Sequence, residues 1–132
     1  MSSGFEILPL PDRDDGRGAA FYFDDATLRW LGGIAEVHVV AIAPGRVRGN
    51  HRHQARREAV FVHYQGAIEI AWQAPGGAVE RRRFEGHGGL LARIEPRTLH
   101  AFRNAGEGFV EVVSMSSGHF DRNETEYVAL LT

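Results

Sequence analysis

The chain contains no cysteine, so no disulfide supports the fold and no thiolate serves as ligand or nucleophile. It contains no apolar run of the roughly 18 residues that a membrane-spanning helix needs. Neither sign of charge dominates: 15 basic against 17 acidic residues leave a net charge of −2, which excludes a global basic field for nucleic acid or an anionic membrane. The first residues, Met1-Ser2-Ser3-Gly4-Phe5-Glu6, lack the basic and apolar regions of a signal peptide. The expectation is a cytoplasmic protein with no nucleic-acid or membrane partner. Heptads and internal repeats are also missing, and helical periodicity is weak.

Glycine is what the chain has in quantity. Sixteen residues, often paired, imply many tight turns between short strands and argue against a helical bundle. A length of 132 residues suits one domain with one core. Strands are expected at 5–8, 19–23, 34–43, 59–64, 67–72, 79–84, 90–94, 98–103 and 109–115. Residues 9–18 read as a polar loop, 24–31 as a short helix or turn, 74–77 as a hairpin turn, and 104–108 as a turn across which its flanking strands pair. Phe61, Phe84 and Phe109 read as core. Short strands at this spacing indicate a sandwich or barrel.

Four side chains carry metal-ligand chemistry at fixed spacings: His51 and His53, Glu58, and His100. Three imidazoles and a carboxylate are what a borderline divalent metal takes from protein. In an extended segment His51 and His53 point to one face, because side chains alternate along a strand. The same parity puts Val60, Val62 and Tyr64 on the face of Glu58 and turns His63 away from it. Phe102 and Asn104 share the face of His100. Tyr64, Phe102 and Trp72 are therefore candidate pocket walls. His38, His63, His87 and His119 read as structural or exposed, and residues 81–83, three arginines, as a solvated strand.

The chain runs Gly45-x5-His51-x-His53-x4-Glu58-x7-Gly66, and later Gly89-x5-Glu95-Pro96-Arg97-x2-His100-x3-Asn104. These blocks cover about half of the chain and resemble the paired motifs of the cupin superfamily, of RmlC-like type. Two turn positions depart from the pattern, Glu95 where the family usually has proline and Arg97 where it usually has glycine. Residues 48–53, 33–45 and 120–125 resemble the cupin epimerase domain of bifunctional capsular-polysaccharide enzymes, which act on nucleotide-linked keto-sugars. Residues 15–18 and 48–53 are also similar to nucleotide-sugar 3,4-ketoisomerases. Those generally lack a histidine at the place of His100 and carry tyrosines where this chain has Val39 and Val40.

The resemblance implies an all-β fold, a small antiparallel double-stranded β-helix of jelly-roll type. It implies one cupin domain over 1–132: N-terminal strands and loop at 1–33, a barrel core at 34–116, and a C-terminal segment at 117–132. It implies an isomerase or epimerase of a nucleotide-linked keto-sugar, acting as a homodimer, with any reduction step left to a separate protein. His51, His53, Glu58 and His100 would hold one divalent ion, zinc first, with iron, manganese or nickel as alternatives. His51 would serve as the base only without metal. Arg48 and Arg17 are candidates for a phosphate, since guanidinium forks match phosphate oxygens, and Tyr64, Phe102 and Asn104 for further substrate contact. The same four ligands also suit an iron-dependent dioxygenase of a small organic substrate, and the fold suits a non-catalytic sugar- or metabolite-binding module.

Overall fold

The computed structural model describes residues 4–132. Its elements are β1 (Phe5–Leu10), α1 (Asp25–Leu31), β2 (Glu36–Ile42), β3 (Val47–His53), β4 (Glu58–Gln73), β5 (Glu80–Ile94), β6 (Leu99–Asn104), β7 (Val110–Ser116), a 3-10 turn (Arg122–Glu124) and β8 (Thr125–Tyr127). No helix among the described residues is long and apolar enough to cross a membrane.

β4 and β5 organise the rest. They pair antiparallel along their whole length, from Glu58 opposite Ile94 to Trp72 opposite Glu80. The other edge of β4 is divided: 58–63 pair with β7, and 68–73 with β6. The division falls at Gly66, whose φ is +98° and where an added Cβ would meet the Gly106 backbone at 2.9 Å. Only glycine permits that conformation and that approach together. Two antiparallel faces result. One contains β1, the second half of β5, the first half of β4, β7 and β2; the other contains the remaining halves with β6, β3 and β8.

The apolar face of each strand decides what lies between the sheets. Val60, Val62, Tyr64, Ile68, Ile70, Trp72, Leu90 and Phe102 form the buried core there. Full burial of an aliphatic side chain of this size is worth on the order of 1.5–3 kcal/mol against exposure. Ala59 and Leu91 face outward, where Leu31, Phe23 and Trp30 cover them. The expected alternation along β4 holds, with His63 turned outward toward Glu111 at 3.3 Å.

Several expectations need correcting. The glycines at 66 and 86–89 bend single long strands instead of ending them. Residues 19–23 are no strand. Phe21 and Phe23 lay their rings on Phe61, at 5.3 and 5.7 Å, so this segment is held by side chains and not by a ladder. β6 and β7 do not pair with each other; the chain changes sheets between them, and Phe109 in that turn is exposed. β8 is an addition that alternation did not reveal, being only three residues long.

Asn104 holds the crossing. Fully buried, it donates to Ile42 O at 2.8 Å and Gly108 O at 2.6 Å, and accepts from Gly106 N at 3.0 Å. Every hydrogen-bonding site of its amide nitrogen is thus committed to backbone. Asn104→Ala would strand buried carbonyls, and we expect it to cost about 2–3 kcal/mol, read as a lower urea midpoint at unchanged slope.

Candidate active site

β3 is shaped locally to present two imidazoles. Gly49 adopts φ +98°, and a Cβ there would lie 2.8 Å from His100 O, so its absence lets β3 close on β6. Asn50 follows at φ +54° and is the extra residue of a bulge, after which His51 stands opposite His100. The Asn50 side chain accepts from Leu130 N and Leu131 N and donates to Leu131 O, which pins the bulge to the C-terminal segment. His51, His53 and His100 come from one sheet, and Glu58 from the start of β4 in the other. One ligand atom from each of the four lies within 4.8 Å of the rest. His53, Glu58 and His100 are buried, and His51 is partly open.

The outer partners of two rings assign their tautomers. His100 Nδ1 lies 3.0 Å from Thr98 O. A carbonyl only accepts, so Nδ1 carries the hydrogen and Nε2 is bare. His53 Nδ1 lies 3.0 Å from Thr125 Oγ1, whose own hydrogen goes to Asp121 O. The bare Nε2 atoms then face Glu58 Oε1, at 3.2 Å from His53 and 3.4 Å from His100. That oxygen is buried and has no hydrogen-bond partner, while its neighbour Oε2 accepts from Ser114. Unprotonated acceptors that converge out of water fit a cation, and this donor set fits a divalent ion of the zinc type.

Arg56 is a residue of the site that the sequence analysis did not single out. It is 5% exposed and donates to Gly118 O at 3.2 Å. Its Nη2 sits 3.2 and 3.1 Å from the two ring nitrogens of His53, hence over the ring face, since in the plane it would collide with the carbon between them. Arg56 also lies 3.8 Å from Glu36, and His53 Nδ1 lies 4.0 Å from Glu124.

The quartet forms one end of a cavity of about 440 Å³ between the sheets, within the usual size of small-molecule sites. Arg48, Phe102, Val60, Val112, Tyr127 and His38 also line it. Four expected residues are placed elsewhere. Arg17 lies in an exposed loop, bonded to Asp15 at 2.6 Å. Tyr64 is core, packed near Phe84 and Gly88. Asn104 is committed to backbone as described, and Trp72 stacks on Phe5 at 4.8 Å in the core. At the departing turn, Arg97 takes the left-handed conformation at φ +65° and donates to His53 O. Glu95 N donates to Gly4 O at 2.8 Å, which proline could not do.

Burial drives the His51 imidazole down to about 3, with the neighbouring His100 adding to the effect. Burial also lowers His100. Both signs agree. The histidines favour the fold fully above about 6.5 and lose that contribution as pH falls toward their folded values. Acid should therefore destabilise the protein from pH 6.5 downward. Urea midpoints measured between pH 7 and pH 4 should fall steadily, and less steeply in His51→Gln.

No protein-family model matches the chain, and no curated protein matches it. Solved structures do. A dTDP sugar isomerase from Desulfovibrio desulfuricans superposes with a TM-score of 0.75 at 17% identity, covering 96% of this chain and 84% of the other. A 3,4-ketoisomerase from Helicobacter canadensis gives 0.70 at 20%, covering 95% and 91%. The RmlC epimerase of Mycobacterium tuberculosis gives 0.75 at 15%, covering 96% and 70%. At such identities the likeness speaks for architecture, and with the strand order and the paired motifs it shows that this chain has the RmlC-like cupin fold, a double-stranded β-helix.

Proposed function

We propose that the protein is an isomerase or epimerase of a nucleotide-linked keto-sugar, with a divalent ion held by His51, His53, Glu58 and His100. The observation that carries this reading is the cavity itself. It joins an uncharged, partly open imidazole, His51, to a guanidinium, Arg48, on the same strand, and sets Arg48 beside a quartet whose donor set fits a cation. The fold adds support. Structures that share it over nearly the whole chain are described as sugar isomerases and epimerases, one of them in complex with TDP and another with TDP-4-keto-6-deoxyglucose.

When bound, the ion would polarise the carbonyl beside the carbon that exchanges its proton. The chain's own groups do the remaining work. Arg48 offers two parallel N–H donors to phosphate oxygens. Phe102, Val60 and Val112 give the sugar ring an apolar wall and exclude water from it. A proton leaves the carbon next to the carbonyl. Returned to the opposite face it completes an epimerisation; moved to the former carbonyl carbon, while the hydroxyl proton of the first carbon passes to the former carbonyl oxygen, it completes an isomerisation. His51 can carry that proton only while its ring is uncoordinated, since a coordinated nitrogen has no free electron pair. Tyr127 is another proton-bearing group of the lining, 6.0 Å from the His51 ring between centroids. A homodimer belongs to this reading on the resemblance alone.

The donor set serves oxygen chemistry equally well, so an iron-dependent dioxygenase is the second reading. One incubation separates them. With TDP-4-keto-6-deoxyglucose in deuterated water, the protein should place deuterium beside the carbonyl without consuming oxygen; oxygen uptake without exchange would instead favour the dioxygenase. Arg48→Ala should weaken nucleotide-sugar binding roughly tenfold or more, as loss of a charged hydrogen bond does. An unchanged calorimetric isotherm would remove Arg48 from phosphate recognition.

A further inference from the structure

We propose that Thr125, on the C-terminal strand β8, is a positioning residue of the quartet: its hydroxyl holds the His53 ring in the tautomer that turns a bare Nε2 toward Glu58 and His100. The inference rests on the quartet's reading as a cation site.

A threonine hydroxyl has one hydrogen. Here it is spent on Asp121 O at 2.9 Å, so toward His53 Nδ1, at 3.0 Å, the oxygen can only accept. A neutral imidazole has one N–H, and this contact fixes it on Nδ1. His100 receives the same instruction from a main-chain carbonyl, which no substitution removes. His53 receives it from a side chain 72 residues away.

Without the hydroxyl the alternative is close at hand. The hydrogen would move to Nε2, which lies 3.2 Å from Glu58 Oε1. The resulting N–H···O bond would satisfy that orphaned carboxylate oxygen internally and leave a cation two ligand atoms short. The docking of β8 does not depend on the hydroxyl. Gln54 N donates to Glu124 O at 3.0 Å, Ala55 N donates to Glu124 Oε1 at 2.8 Å, and the backbone pairs His53 with Thr125. Thr125→Val therefore keeps the strand and its shape and removes only the hydroxyl; Asp121 O loses that donor but still accepts from Glu124 N at 3.1 Å.

The test compares the wild type with Thr125→Val and Thr125→Ser, with Thr125→Ala in reserve should the valine variant not fold. Co2+ is titrated in by calorimetry and by its visible absorption. The His53 tautomer is read separately, in metal-free protein, from long-range 1H–15N spectra. Expected are Nδ1–H in the wild type, a Co2+ affinity 10–100-fold weaker in the valine variant with the hydrogen moved to Nε2, and restoration of both by serine. Unchanged affinity with Nδ1–H retained in the valine variant would overturn the proposal. A wild type that binds neither Co2+ nor Zn2+ would sink the cation reading instead, and the tautomer comparison would still decide the role of Thr125.

Discussion

Electron pairs that face one another away from water need positive charge between them. Glu58 Oε1 and the bare nitrogens of His53 and His100 are in that position, and much of the structure follows from holding them there. The ring hydrogen of His100 points outward to Thr98 O, and Thr125 is placed to hold that of His53 the same way, so neither relieves the repulsion. Arg56 supplies some positive charge, but from above the His53 ring and not between the converging atoms. The geometry is costly for an apo protein and suited to one that captures a cation.

The barrel supplies the means. Gly49 lets two strands approach, the Asn50 bulge re-aims the chain, and His51 and His53 reach the cavity together. Glu58 arrives from the opposite sheet because β4 bends at Gly66 and gives its first half to that sheet. Asn104, far from the ligands' chemistry, keeps the crossing between β6 and β7 in place and so keeps His100 opposite His51. Apolar packing between the sheets sets the scale of the cavity, and the quartet sits at its edge, where one ring stays open.

Much of this was legible in the sequence. Alternation along strands put His51 with His53 and Glu58 with Val60 before any coordinates, since the side-chain period of a strand is fixed. The partnership of those residues with His100 came from the paired motifs, because their distance along the chain carries no local signal. The break between β6 and β7 was illegible for a physical reason: residues 104–108 have the composition of an ordinary hairpin turn, and only the buried amide of Asn104 shows that the strands part. Arg56 was not singled out, because it lies in the irregular link between β3 and β4, where no strand period marks an inward face. Thr125 was not readable as a partner of His53, since a three-residue edge strand has no periodicity to detect. The departures at Glu95 and Arg97 altered the turn's hydrogen bonding and left the ligand spacing intact.

Because three ligands belong to one sheet and the fourth to the other, the quartet spans the seam of the barrel. Its internal distances therefore measure the gap between the two walls, as a caliper does. A cation bound there would rivet the seam, and a sugar wedged between the walls would strain the rivet. Breathing of the barrel, occupancy of the cavity and grip on such an ion would for that reason be coupled.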